Sequence, residues 1–250
     1  MELISILIYT LVYKVNIYGG VLFLNKYFNF EKIFDYFNYI FCFFILNCIF
    51  LLFNLPLVLF FIFIGISNIG TYLPLFFICL IPTMPTFTIL LYCMNKLLVN
   101  KDISIKKDFI NGFKLNFFQA LFIWIIELIL IFMLQLNIRY FSTINPNIIL
   151  VCIFSSITLF LAIITPYIFI LISKFKMPVL SILRTASILS FTRPILTVSN
   201  ILLFIISLIF FELIPGTIIL FIFSLLAFAL MFINKYLIAE LEDISKKQNA

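Results

Sequence analysis

Long apolar runs separated by short polar segments make up most of this chain. Six of these runs are long enough to cross a membrane, at about residues 39–64, 72–98, 117–136, 148–172, 195–214 and 217–233. A helix of about 20 apolar residues spans a hydrocarbon layer roughly 30 Å thick. Hydrophobic residues make up 65% of the sequence and charged residues only 10%. The pattern predicts an all-α, polytopic integral membrane bundle with six spans.

The polar stretches at the two ends of the chain predict its domain organisation. Residues 1–38 are interpreted as an amphipathic, interfacial region, residues 39–236 as the six-span bundle, and residues 237–250 as a polar cytoplasmic tail. A spanning helix over residues 3–24 is an open alternative that would place Lys14 and Asn16 within the bilayer. It would also put the N-terminus on the outer side.

Positive charge is distributed very unevenly between the two sides of the predicted spans. Fifteen of the sixteen Lys and Arg residues fall on one side, and only Arg139 falls on the other. Basic residues accumulate in cytoplasmic loops of membrane proteins. The distribution therefore predicts that both termini and both basic loops are cytoplasmic, and it is typical of a bacterial cytoplasmic membrane protein.

Prolines are expected to interrupt some of the spans. The second span contains Pro74, Pro82 and Pro85, and the fourth contains Pro166. Proline lacks an N–H group and its ring clashes with the preceding turn of a helix. We therefore expect the second span to be kinked or broken and the fourth to be kinked.

Composition argues against most enzyme chemistry. The chain has no histidine, and its five cysteines show no paired spacing, whereas protein zinc sites use histidines or closely spaced cysteines. No Gly-rich phosphate loop, Ser/His/Asp set or paired-carboxylate motif occurs. We expect no catalytic residue, no cofactor, no metal and no enzymatic activity.

The net charge of +6 originates in the cytoplasmic loops. Basic residues next to a membrane are attracted to anionic lipids by about 1 kcal/mol each. The charge therefore predicts contact with a bilayer that contains anionic lipids, and it does not indicate binding to nucleic acid.

Glu127 is the one charged residue near the middle of a predicted span. Asn116 and Ala120 share its helix face, and this stripe could pack against Asn47 and Asn54 of the first span. A carboxyl group in the membrane is costly and should face protein or water. One interpretation is a proton or substrate site. We favour the other, an interhelical hydrogen bond made by a protonated carboxyl, because no second acidic group or base accompanies Glu127.

Charged residues also mark the ends of the spans. Glu212 ends the fifth span on the outer side, where it could meet Arg139. On the cytoplasmic side, the connector from Lys174 to Arg193 is apolar at helical spacing, and it is interpreted either as a docking helix for a partner or as an ordinary interfacial helix. The candidate docking residues of the two basic loops are Lys106, Lys107, Lys114, Lys174, Lys176 and Arg184.

Several short segments, in order, resemble the YesL family of bacterial membrane proteins, a domain of unknown function. They are Gly19-Gly20-Val21-Leu22-Phe23, Asn47-Cys48-Ile49-Phe50, Leu55-Pro56, Met84-Pro85-Thr86-Phe87-Thr88, the set Phe109, Phe113, Lys114, Asn116, Phe117 and Gln119, Lys174-Phe175-Lys176, and Leu183-Arg184-Thr185-Ala186. Phe50 stands where the family usually has Trp. The resemblance covers about residues 17–240.

The resemblance implies a role in sugar uptake by association. The family's genes often accompany carbohydrate ABC importers, which implies an accessory component that contacts ABC-type transporter subunits. The chain lacks the loop by which importer permeases engage their ATPase, so it is not expected to be a permease. A secondary transporter or channel, and an immunity protein against membrane-active peptides, remain alternatives, as does homo-oligomer formation.

Overall fold

The computed structural model describes residues 30–100, 104–213 and 218–248. These residues form ten α-helices and one short 3-10 helix, Ile66–Asn68, and they contain no strand. The helices are α1 Phe30–Phe53, α2 Leu55–Phe63, α3 Leu73–Cys79, α4 Thr83–Asn100, α5 Ile105–Thr143, α6 Ile148–Lys174, α7 Val179–Thr192, α8 Pro194–Leu213, α9 Ile222–Ile233 and α10 Lys235–Gln248. The predicted all-α class is confirmed.

The helices include four that are long and apolar enough to cross a membrane. They are Leu73–Asn100, which joins α3 and α4, and then Ile105–Thr143, Ile148–Lys174 and Pro194–Leu213. Two bent pairs bring the number to six if each pair is one span: Asn38–Phe53 with Leu55–Phe63, and Ile222–Ile233 with Lys235–Ile244. The prediction of a polytopic helical membrane bundle is confirmed, with at most six spans among the described residues. The two alternatives for residues 3–24 lie outside the described residues.

The first two spans are interrupted next to prolines. The first bends by 71° at Asn54, because Pro56 in the first turn of α2 cannot donate a hydrogen bond to the preceding helix. The sequence was interpreted there as one span over residues 39–64, so the bend was not predicted. The second span breaks between Cys79 and Thr83, as predicted. Pro166, by contrast, lies within α6, which is assigned as one helix.

The third span is the middle of a much longer helix. α5 contains 39 residues, which corresponds to about 58 Å at 1.5 Å per residue. This is about twice the thickness of a hydrocarbon layer. The basic segment before residue 117 was interpreted as a loop, but from Ile105 onward it is helical. The first turns of α5, which carry Lys106, Lys107 and Lys114, precede the apolar span predicted over residues 117–136.

Residues 44–250 form one compact unit, and residues 30–43 are the described part of another. In the larger unit, α5 packs on α4 and α6, and α9 packs on α4. α4 and α5 approach so closely that a Cβ atom on Gly112 would lie 2.9 Å from Cδ1 of Tyr92. The central position of α5 explains why its polar residues find partners on several helices.

The C-terminal segment is an ordered part of the fold. Residues 237–250 were predicted to be a polar tail, and residues 235–248 form helix α10, with Leu237 and Ile238 buried. The connector between α6 and α8 contains helix α7, which buries Ile182, Ala186 and Leu189 on one face. Both helices lie at the end of the bundle where α6 finishes and α8 begins.

Candidate functional site

Glu127 forms a hydrogen bond between the third and fourth spans. Its side chain is only 5% exposed, and its Oε1 atom accepts from the hydroxyl of Thr165 on α6. The Thr165 hydroxyl also lies 2.8 Å from the carbonyl oxygen of Leu161. Among the described residues, the second carboxyl oxygen of Glu127 has no hydrogen-bond partner.

The protonated and ionised forms of Glu127 differ in the hydrogen bonds that the Thr165 hydroxyl can make. Thr165 has one hydroxyl proton but lies against two oxygens, one on Glu127 and one on Leu161. If the carboxyl is protonated, it donates to Thr165, and Thr165 donates to Leu161. If the carboxyl is ionised, one of the two contacts has no proton to share. Both contacts of the Thr165 hydroxyl can be hydrogen bonds when the Glu127 carboxyl carries a proton.

Hydrogen bonds do not connect the members of the predicted polar stripe to one another among the described residues. Asn116 is buried on α5, and its Nδ2 atom has no partner among the described residues. Asn54 donates to the carbonyl oxygen of Phe50, one turn earlier in its own segment, at 2.9 Å. Neither side chain hydrogen bonds to Glu127, whose partner is Thr165 on a different helix.

Asn47 connects the first span to the start of α9. Its Nδ2 atom donates to the carbonyl oxygen of Ile219 at 2.7 Å. Its Oδ1 atom accepts from the backbone N–H groups of Phe223 and Ser224, at 3.1 and 3.3 Å. The first N–H groups of a helix have no partner within the helix. Asn47 therefore caps α9 from a segment more than 170 residues away in sequence.

A side chain for which no role was predicted from sequence hydrogen bonds to the backbone at the break in the second span. The indole Nε1 of Trp124 donates to the carbonyl oxygen of Leu80 at 2.8 Å, and the Thr83 hydroxyl donates to the same oxygen at 2.6 Å. Unpaired backbone carbonyls within a membrane cost several kcal/mol. Trp124 therefore stabilises the broken span one helical turn from Glu127.

A second buried polar cluster, also missed from sequence, joins α6, α7, α8 and α9. Tyr167 hydrogen bonds to Thr197 at 2.9 Å, and the Thr197 hydroxyl donates to the backbone oxygen of Ser190 at 3.0 Å. Asn200, three residues after Thr197, accepts at its Oδ1 atom from Asn234 Nδ2 at 2.9 Å. The two asparagines interrupt or end apolar runs, which was the available signal.

The connector residues at this end form two ion pairs with α10. Lys174 Nζ lies 2.8 Å from a carboxyl oxygen of Glu242. Arg193 Nη2 lies 2.6 Å from both carboxyl oxygens of Glu240. Lys174, a predicted docking residue, is thus already paired. The connector residues Lys176 and Arg184 are exposed.

The lysines near the first turn of α5 differ in whether they have a carboxylate partner. Asp108 is fully buried, lies 2.5 Å from Lys96 Nζ, and accepts from the backbone N–H of Ser104 at 3.0 Å. Lys106 and Lys107, just before Asp108 in the sequence, are exposed, and Lys114 is exposed further along α5. Within the described ranges, these three lysines form no ion pair.

Two further findings concern the remaining candidates. Arg139 donates to the carbonyl oxygen of Gly70 at 3.0 Å, and no ion pair joins it to Glu212 within the described part of the chain. A cavity of about 500 Å³ lies between α8 and α9 and has no titratable lining residue. No group of three metal-binding side chains occurs among the described residues.

Glu127→Gln is expected to leave insertion and folding nearly unchanged. The Gln amide donates to Thr165 as a protonated carboxyl does, so the free energy of unfolding should change by less than about 1 kcal/mol. Unfolding by SDS measures the change in the free energy of unfolding. Thr165→Val is the matched comparison, because it removes the hydrogen-bond partner of residue 127. A Gln variant that inserts normally in vesicles yet loses a proton or sugar flux seen with the parent protein would instead indicate a secondary carrier.

Together, these features define a polytopic, all-α membrane protein in which several buried polar side chains hydrogen bond to neighbouring segments. A family model described as "Protein of unknown function, DUF624" matches residues 43–138, from α1 through most of α5. The resemblance to the YesL family, which this description covers, is thereby confirmed for that part of the chain. No curated protein and no solved structure matches the chain.

Proposed function

We propose that the protein is a non-enzymatic accessory component of carbohydrate ABC-type uptake in the bacterial cytoplasmic membrane. In this proposal its basic end contacts the transporter subunits. The basic end consists of the cations Lys96, Lys106, Lys107, Lys114, Lys174, Lys176, Arg184 and Arg193. The link to sugar uptake comes from the family resemblance, and the role of the basic end comes from the arrangement of its charges.

The observation that carries the proposal is the division of these cations into two groups. Lys96, Lys174 and Arg193 have carboxylate partners within the fold. Lys106, Lys107 and Lys114 are exposed on the turns of α5 that precede the predicted apolar span. Exposed charges of one sign promote association with surfaces of the opposite sign. An acidic surface on a transporter subunit would be complementary to these turns.

Capture of co-expressed importer subunits tests the proposal. The permease and ATPase subunits of a carbohydrate importer encoded beside the gene would be co-expressed with the C-terminally tagged protein and extracted in a gentle detergent. We expect the parent protein to retain the importer subunits. Lys106→Gln/Lys107→Gln should reduce their recovery about tenfold, because charged interface contacts are lost.

The matched control is Lys235→Gln/Lys246→Gln. These two lysines are also exposed, and they belong to α10 instead of α5. The control variant should retain the subunits at the parent level. Recovery of the chain alone after crosslinking, or an equal loss in both variants, would contradict a contact made by the start of α5.

A further inference from the structure

Part of the basic end already holds an anionic occupant that belongs to the chain itself. Lys174 and Arg193 lie just before and just after α7, and each binds one glutamate of α10. Arg193 contacts both oxygens of the Glu240 carboxylate. One guanidinium nitrogen, Nη2, makes both contacts, and hydrogen bonds between two charged groups are stronger than those between neutral groups. We define Lys174 and Arg193 as the carboxylate seat.

We propose that the carboxylate seat is a docking surface for an acidic helical segment of a partner protein, and that α10 occupies it as an intramolecular competitor. This inference rests on the proposed function, because it places a partner at the basic end. The chemistry of the partner is inferred from the occupant that the structure shows, a helix that presents Glu240 and Glu242. When α10 leaves the seat, its two cations become available to the partner.

The attachment of α10 suits a segment that can be exchanged. Its base is firmly held, because Asn234 is buried and bonded to Asn200, and because Leu237 and Ile238 are buried. Glu240 and Glu242 lie beyond this base, and their side chains are 50% and 37% exposed. Ion pairs with this degree of exposure are weak and sensitive to salt. The outer turns of α10 can therefore leave the seat while its first turn stays in place.

The backbone at the base of α10 is consistent with a pivot. α9 and α10 meet at Asn234 with a bend of 53°, and Asn234 donates to both Asn200 Oδ1 and the Leu230 carbonyl oxygen at 2.9 Å. These bonds fix the direction in which α10 starts. They do not involve Glu240 or Glu242, so the seat can open without breaking them.

A direct binding experiment tests the seat without any importer subunit. The full-length protein in nanodiscs of zwitterionic phosphatidylcholine is titrated with a labelled, ten-residue oligo-glutamate peptide. Glu240→Gln/Glu242→Gln should bind the peptide about tenfold more tightly than the parent protein, because a binding-competent state that is rarely open weakens apparent affinity in proportion. Adding Arg193→Gln to that variant should abolish the gain.

The matched control is Asp243→Asn, which removes an exposed acidic group from the same helix, where Asp243 has no ion pair among the described residues. It should bind the peptide as the parent does. Hydrogen exchange over residues 240–248 should rise in Glu240→Gln/Glu242→Gln and not in the control. Equal peptide binding by all variants overturns the inference. A second outcome would also overturn the inference: no variant binds the peptide, and hydrogen exchange in α10 rises only when phosphatidylglycerol is added. That outcome would identify lipid headgroups as the occupant.

The result is separable from the test of the proposed function. The peptide experiment reports on the seat alone, whereas importer capture depends on the lysines of α5. Failure of capture with a positive peptide result would remove the sugar importer as the partner and keep the seat. Failure of the peptide result with normal capture would remove the seat and keep the accessory role.

Discussion

Asn47→Leu is expected to destabilise the protein by about 3 kcal/mol. The side chain is fully buried and satisfies three backbone groups around the start of α9: the carbonyl of Ile219 and the N–H groups of Phe223 and Ser224. A buried polar group that loses its partner costs about 1–3 kcal/mol, and no water replaces the partner within a membrane. The expected loss of stability is large because one substitution removes three hydrogen bonds.

Asn54→Leu provides the matched control for that experiment. Asn54 is equally buried and lies seven residues later in the same span, but its one described hydrogen bond returns to Phe50, and its Oδ1 has no partner. Its replacement should cost about 1 kcal/mol or less. Unfolding of purified protein by SDS, followed by circular dichroism, measures both variants. Equal losses would show that Asn47 does not act as the cap of α9.

These two asparagines show why the sequence did not predict the partners of the buried polar side chains. Both residues were expected to pack near Glu127, because polar residues in apolar spans usually find polar partners. Periodicity indicates which residues share a helix face, but it contains no information about which helices are neighbours. The partner of Asn47 lies 172 residues away, and the partner of Glu127 lies 38 residues away on α6.

The helical class and the break in the second span were predictable because their causes are local. Apolar length predicts a span, and Pro82 and Pro85, three residues apart, predict an interruption within it. Pro56 provided the same kind of signal for the bend of the first span, but a single proline within an apolar run is also compatible with an unbroken helix. The structure distinguishes between the two possibilities, because the first span bends by 71° at this point.

The order of the C-terminal segment was missed for a related reason. Its many charges suggested a polar tail, although Leu237, Ile238, Leu241 and Ile244 recur at helical spacing and were the available signal for an amphipathic helix. What orders α10 is tertiary contact: burial of Leu237 and Ile238 and the ion pairs with the connector. One member of the candidate docking set, Lys174, is paired with Glu242 within the fold.

The ion pair between Lys96 and Asp108 is expected to respond very differently to the loss of each partner. Asp108 is completely buried, whereas 35% of the Lys96 side chain is exposed. Lys96→Met leaves a buried carboxylate without its counter-charge, which is strongly destabilising. Asp108→Leu removes the buried charge and leaves Lys96 free to turn toward water. We therefore expect Lys96→Met to unfold at the lower temperature of the two.

The double variant Lys96→Met/Asp108→Leu makes this expectation sharper. Replacing both members of a buried ion pair by apolar residues is often close to neutral, so the second substitution should recover part of the stability that Lys96→Met loses. Asp108→Leu also removes the acceptor for the Ser104 N–H at the start of α5, so recovery should be incomplete. Thermal unfolding in detergent, followed by loss of the monodisperse peak on size exclusion, measures all three variants. If the two single losses simply add in the double variant, the buried carboxylate does not depend on Lys96, and α4 and α5 are held together by apolar packing alone.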